Sequence, residues 1–434
     1  MGGNKSKGGF EMSFPRRVYE ALKMASIAHA KWDYEVSMSI VKNRKKLLIL
    51  FILLLPILAI SFLQAADLIG SKTAYGPAHY STVIFIVSIA IGLGAGLITG
   101  CIGAGGGFII TPALMAAGVK GIMAVGTDTF HIFAKAIMGT TVHKKLGNVS
   151  LGLAVAFVCG SAIGATVGGY LNRAMYNIDP AMSDIFISVV YAVILGFLGA
   201  YAFMDYLKLR KHTGGDTGAH GEGAHGGGAP ATTTGMALKL QALKIPPMIK
   251  FDEDIVPGGR RISGVVMACG GSIVGLLAAI MGVGGGFVTF PMFVYTFGIS
   301  TMTTVGTDIL QIIFTAGYAS ITQYAIYGYV FYTLAMGMLL GSLVGIQVGA
   351  LTTKVVKGIH IRAFYALTIL AGFANRATVL PKKLGDLGYI KISKGAADGI
   401  EAVGFWIFWI MIGIFGVWLF AKFFGNMKAL REEG

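Results

Sequence analysis

Apolar runs close to the length of a membrane-crossing helix alternate with short polar breaks along almost the whole chain. A helix needs roughly 20 such residues to cross a hydrocarbon core of about 30 Å. Spans are therefore expected near 47–66, 82–102, 107–119, 123–142, 149–171 and 185–205. After a polar break a second set follows near 262–281, 286–299, 303–325, 329–352, 361–379 and 401–425. Two members, Gly107 to Val119 and Gly286 to Ile299, are too short to span as straight helices, and each holds one proline, Pro112 or Pro291. Each reads as a half-helix ending inside the membrane or as a re-entrant element. The expected fold class is all-α, a polytopic membrane bundle of about 10 to 12 transmembrane segments, the lower number applying if the short elements are re-entrant.

Composition agrees: 55% of the 434 residues are hydrophobic and 13% charged, with mean hydropathy +0.73, more apolar surface than a water-soluble domain needs. The net charge of +15 falls between the apolar runs, where topology signals belong, so no nucleic-acid partner is expected. Leu47 to Ala66 follows the basic run Lys42, Arg44, Lys45 and Lys46. The long segment before it and its own length make it a retained span rather than a cleaved leader. Cys101, Cys159 and Cys269 are too scattered for a disulfide framework or a CxxC metal site, and read as small core residues.

The organising feature is an internal repeat. GAGGGFIITP from Gly103 returns as GVGGGFVTFP from Gly282, Gly126-Thr127-Asp128 as Gly306-Thr307-Asp308, and Gly160, Ser161, Gly164 and Gly168 as Gly341, Ser342, Gly345 and Gly349. The expected division is a cytoplasmic amino-terminal segment (1–46), an extra transmembrane helix and outer loop (47–81), transport repeat 1 (82–205), a flexible Gly/His-rich cytoplasmic linker (206–259), repeat 2 with a final helix (260–425) and a cytoplasmic tail (426–434). His212, His220 and His225 in that linker have no preformed geometry for a metal. Lysine and arginine bias places both termini inside. With the short elements counted as crossings, repeat 1 starts outside and repeat 2 inside, an inverted pair. Lys382, Lys383, Lys391 and Lys394 stand against that orientation, which leaves them outside.

The triplets Gly105-Gly106-Gly107 and Gly284-Gly285-Gly286 supply backbone that can turn its N–H groups toward an anion with no side chain in the way. The helix after each triplet aims the positive end of its dipole at the same place. No Walker lysine or βαβ pattern accompanies them, which removes a nucleotide-binding reading. Glycines 160, 164, 168, 341, 345 and 349, spaced by four, read as packing positions. On the next helix Asp128, His131 and Lys135 share one face. A lysine deep in a span costs about 3 kcal/mol unless paired or hydrated, and either an anionic substrate or Asp128 could compensate it. The matching face of repeat 2 carries Asp308, Gln311 and Thr315. Lys135 and His131 are thus expected to recognise charge, and Gln311 and Thr315 to orient oxyanion oxygens. Thr127 and Thr307 are candidates for capping or ligand contact, and Asp128 and Asp308 for caps, partners of Lys135 or proton carriers. Asn375 and Arg376 form a further polar pair, with Arg376 marking the membrane edge.

These paired GxGGGF…P…GTD motifs, one in each half, resemble the sulfite exporter TauE/SafE family over roughly residues 82–205 and 262–425. The resemblance implies a secondary transporter of sulfite, an organosulfonate or a related small organic acid across the plasma (inner) membrane, working without a cofactor and with room for a homo-oligomer. The rivals are an anion channel lined by the same residues, a carrier of small carboxylates, and a receptor acting through the linker. An enzyme is not expected, because the chain holds no HExxH, GxSxG or other catalytic constellation.

Overall fold

A computed structural model of the chain describes residues 82–102, 106–143, 150–212, 235–252, 259–352, 356 and 358–426. The extra amino-terminal span, Gly105 and most of the Gly/His-rich stretch lie outside the described residues. The apolar runs fold as helices: α1 (Thr82–Ile102), α2 (Gly107–Ala116), α3 (Gly121–His143), α4 (Leu151–Ile178) and α5 (Pro180–His212) from the first half. The second half gives α7 (Gly264–Met281), α8 (Gly286–Pro291, continued by a wide π-helical turn Met292–Thr296), α9 (Thr301–Tyr318, continued in the same way over Ala319–Ala325), α10 (Tyr332–Thr352) and α11 (Gly358–Asp386), followed by α12 (Lys394–Gly425). Among the described residues, seven helices (α1, α4, α5, α7, α10, α11 and α12) are long and apolar enough to cross a membrane. Helices α3 and α9 fall outside that set because they carry the polar face.

Small residues decide which helices meet. A Cβ at Gly160, Gly164 or Gly168 of α4 would strike the backbone of α7 at Ala268, Ser272 or Leu276. One at Gly341, Gly345 or Gly349 of α10 would strike α1 at Ile89, Leu93 or Leu97. In both pairs the residue numbers rise together, so the helices run parallel and nearly backbone to backbone, as small residues permit between membrane helices. Helices α5 and α11 run antiparallel, with Gly196 on Phe373 and Gly199 on Leu370. The first helix of each half therefore packs on the fourth of the other, while α3 meets α9 and α5 meets α11. The core lies around α2 and α3, where Ile109, Ile110, Ile122 and Val125 are buried. Cys159 and Cys269 face outward, contrary to their expected core position; being on the outer sides of the α4–α7 pair, they sit where the glycine seam is not.

At one end of the bundle Asp184 on α5 accepts a hydrogen bond from Gly121 N at the start of α3 (2.6 Å) and pairs with Lys383 of α11 (2.7 Å). At the other end, the stretch read from sequence as linker contributes a helix, α6 (Gly235–Ala242), and a strand, β1 (Met248–Phe251), which pairs antiparallel with β2 (Arg260–Ser263) at the head of the second half. Three residues of this segment grip the turn between α8 and α9. Gln241 donates to Phe297 O (2.7 Å), Arg260 to Gly298 O (2.7 Å), and Asp252 accepts from Ser300 N, Ser300 Oγ and Thr303 Oγ1 (3.0, 2.6 and 2.6 Å). Hydrogen bonds to a charged group are each worth about 1.5–3 kcal/mol and partly overlap. Asp252→Ala is accordingly expected to lower the stability of the purified protein by about 2 kcal/mol, read as an earlier thermal unfolding midpoint. Wild-type melting would show that the clasp adds nothing.

Candidate functional site

The two glycine loops meet in the middle of the bundle. Gly106, Gly284 and Gly285 take positive φ of 56°, 64° and 87°, a left-handed conformation that side chains resist. A Cβ on Gly107 would lie 2.8 Å from Ile132 Cδ1 and 3.0 Å from Val283 Cα, so the first loop touches the second. Neither short helix that follows has a side-chain cap: Gly106 and Gly285 stand at the cap positions of α2 and α8. The first-turn N–H groups are thus left to the loop backbone and to whatever lies before them.

Beside the first loop stands Lys135, half-buried on α3. Its ammonium donates to Thr99 Oγ1 of α1 (3.2 Å), whose own hydrogen goes to Ala95 O (2.8 Å). The same Thr99 hydroxyl borders Gly106, where a Cβ would come within 2.6 Å of it. Lys135 does not pair with Asp128: among the described residues no carboxylate oxygen lies within 4.0 Å of it. One turn back, fully buried His131 places Nε2 3.2 Å from Ser342 Oγ of α10, and that serine gives its hydrogen to Leu339 O (3.1 Å). His131 Nδ1 faces Asp128 Oδ1 at 3.7 Å, and neither atom has a hydrogen-bond partner. The other Asp128 oxygen accepts from Thr111 of α2 (2.9 Å).

The polar face of the second half is hydrogen-bonded within itself and to one serine of the first half. Gln311 Nε2 donates to Asp308 Oδ1 (2.8 Å) and Thr289 Oγ1 (3.3 Å), Thr315 donates to Gln311 Oε1 (3.0 Å), and Thr315 and Ser161 hydroxyls stand 2.7 Å apart. Asp308 Oδ2 lies near Gly286, 3.7 Å from where a Cβ would be. Two placements differ from a capping role. Asp128 and Asp308 sit two turns inside α3 and α9, because those helices begin at Gly121 and Thr301, and Ser300 caps α9 instead. Thr127 and Thr307 accept the backbone N–H of Phe331 (3.0 Å) and Ser150 (3.2 Å), so each tethers the start of a long helix of the other half.

A family model described as "Sulfite exporter TauE/SafE" matches residues 88–375, which takes in both glycine loops and both polar faces. The chain belongs to the TauE/SafE family. Among curated relatives, the "Probable membrane transporter protein YjnA" of Bacillus subtilis (strain 168) is 23% identical over 270 residues, covering 60% of this chain and 87% of that protein. The "Sulfite exporter TauE/SafE family protein 3" of Arabidopsis thaliana is 26% identical over 164 residues, 36% of this chain and 34% of that protein. No solved structure matches the chain. This TauE/SafE protein is therefore a multi-pass membrane protein of a transporter family, and its relatives are named as transporters rather than enzymes.

Sequence reasoning missed Thr99, Thr111 and Thr289, and took Ser161 and Ser342 only as members of packing motifs. The signal for the two serines was present: they are the polar residues repeated within otherwise glycine-spaced seams.

Proposed function

We propose that this protein is a secondary transporter of a small anion across the plasma membrane, with sulfite or an organosulfonate as cargo and export as the direction, working by alternating access. The observation that carries the reading is Lys135: a half-buried ammonium inside the bundle, beside an uncapped short helix and its glycine loop, hydrogen-bonded to one hydroxyl and, among the described residues, with no carboxylate oxygen within 4.0 Å. A cation in a span that has no direct ion pair is costly, and a bound anion removes that cost. In this reading the loop amides of Gly106, Gly107, Gly284, Gly285 and Gly286 face the anion from both halves. His131 lies next to it, and Gln311, Thr315, Thr127 and Thr307 hold the surrounding frame.

Two inverted repeats of five segments are part of the proposal. Its support is that the exchanged helix pairs run parallel while α5 and α11 run antiparallel, which fits two halves related by a two-fold axis in the membrane plane. With α2 and α8 counted as crossings, and with α12 and the 47–66 span, the total is twelve. The cytoplasmic placement of both termini fits better once Lys383 is seen to be neutralised by Asp184, and Lys382 by Asp398 (2.8 Å) and Glu401 (2.7 Å). Paired lysines weigh little as topology signals.

Asp128 and His131 are proposed to bind the coupling proton. A serine hydroxyl has one hydrogen, and Ser342 spends it on Leu339 O, so His131 donates from Nε2 and its Nδ1 lone pair meets Asp128 Oδ1. One proton between them fills both atoms. Asp308, already bonded to Gln311, serves as structural pairing.

The test is efflux from proteoliposomes loaded with sulfite, methanesulfonate, sulfate or acetate, with and without a pH gradient. Saturable flux of a sulfur anion, raised by an inward proton gradient, is the expected result. Acetate flux with no sulfur-anion flux would move the cargo to carboxylates, and flux that never saturates would favour a channel.

A further inference from the structure

Arg376 of α11 is 2% exposed, enclosed by the helices around it. A guanidinium keeps its charge in proteins and carries five N–H donors. Among the described residues three are used: Nε and Nη2 both reach Asn375 Oδ1 (2.9 and 2.5 Å), and Nη1 reaches Met115 Sδ of α2 (3.3 Å), a weak acceptor. One hydrogen on each terminal nitrogen is left over. Among the described residues Arg376 forms no ion pair within 4.0 Å. Asp184, the acid bordering Met115 and Gly121, is already engaged by Lys383 and by Gly121 N. A buried charge in this condition is one of the costliest features a bundle can hold.

Its place in the fold says what could relieve it. The antiparallel register of α5 on α11 sets Val193 level with Arg376 and Tyr191 about half a turn away, and the Tyr191 hydroxyl donates to the carbonyl of Met281, the residue before Gly282 of the second glycine loop. Arg376 therefore stands between the Asp184–Lys383 contact at the bundle end and the central site. On the same face of α5, Ser188 lies four residues from Asp184 and three from Tyr191, and its hydroxyl is buried with no partner. A positive fork with two free hydrogens, and an unfilled hydroxyl on the Asp184–Tyr191 face of α5, suit a small oxyanion with two oxygens to offer.

We propose that Arg376 is a second anion station on the transport path, taking the same cargo through its two free terminal N–H groups while Asn375 holds the fork in position. This rests on the transport reading above. The station would receive an anion when the Asp184–Lys383 end opens and pass it to, or accept it from, the Lys135 site.

The experiment compares wild type, Arg376→Lys, Arg376→Gln and Asn375→Ala for sulfite flux and for thermal stabilisation by sulfite in detergent. Lysine keeps the charge but loses the fork, so Arg376→Lys is expected to raise KM about tenfold with kcat changed less than about twofold. Arg376→Gln is expected to lose most of the sulfite-induced thermal shift, and Asn375→Ala to raise KM as well. If the glutamine variant does not fold, the other two decide. Wild-type KM and thermal shift in Arg376→Lys and Asn375→Ala would overturn the station and leave the guanidinium to bound water. A wild type that moves no sulfite, sulfonate or acetate would instead overturn the transport reading.

Discussion

Gly164→Leu is expected to abolish the folded protein, cutting the monodisperse fraction recovered in mild detergent about tenfold or more, an effect of at least about 1.4 kcal/mol by itself. A Cβ at this position would sit 1.9 Å from Ser272 O and 2.7 Å from Leu276 N, both backbone atoms that cannot swing aside. The α4–α7 pair would have to part by more than the clash at one residue, because Gly160, Gly168, Gly271 and Gly275 lie on the same seam and hold the same close approach. A gap of even 0.5–1 Å forfeits about a quarter to a half of each dispersion contact along it. The neighbouring Ile163, 65% exposed on the outward side, is the control: Ile163→Leu should behave as wild type in size-exclusion chromatography. A normal profile for Gly164→Leu would mean that the two helices are not this close in the membrane.

That seam also shows which parts of the fold could be read in advance. Spacing by four is local in sequence, so glycines 160, 164 and 168 were legible as a packing face. Which helix they pack on was not, because the partner α7 is more than a hundred residues away and belongs to the other half. The same limit explains the site. Asp128, His131 and Lys135 share a face by helical periodicity alone, but Thr99 meets Lys135 from another helix of the same half, and Ser342 meets His131, as Ser161 meets Thr315, through the exchange of helices between halves. Asp128 and Asp308 looked like caps because a GTD motif resembles a helix start. The helices begin earlier, at a turn gripped by Asp184 in one half and by Asp252 in the other, and those grips depend on residues distant in sequence.

These grips give the proposed carrier a physical means of holding its two ends apart. Gly121 opens α3 and Ser300 caps α9, and each gives its backbone N–H to an aspartate, one at either end of the bundle. Access to the central site from one end requires α3 to move relative to α5 and α11; access from the other requires α9 to move relative to the β1–β2 segment. Each movement breaks charge-assisted hydrogen bonds worth about 1.5–3 kcal/mol, enough to keep an end shut until a cargo or proton shifts the balance.

Lys135→Ala is expected to lower sulfite kcat/KM about 100-fold, the equivalent of the roughly 3 kcal/mol that a charge near the middle of a span is worth. The ammonium has three hydrogens, and among the described residues Thr99 accepts one of them at 3.2 Å. An entering anion would meet the other two beside the uncapped first turn of α2, inside a bundle where attraction between charges is screened less than in bulk water. Alanine leaves the neutral loop amides and removes the one cation on that face. The same substitution should not destabilise the protein. Removing a charge that burial disfavours and no direct ion pair holds is neutral or favourable, so the unfolding midpoint of the alanine variant is expected to equal or exceed that of wild type in the absence of sulfite. Function and stability thus move in opposite directions, a pattern that a merely structural lysine would not produce. Unchanged flux would remove Lys135 from the site, and a fall in both flux and stability would assign it to the scaffold.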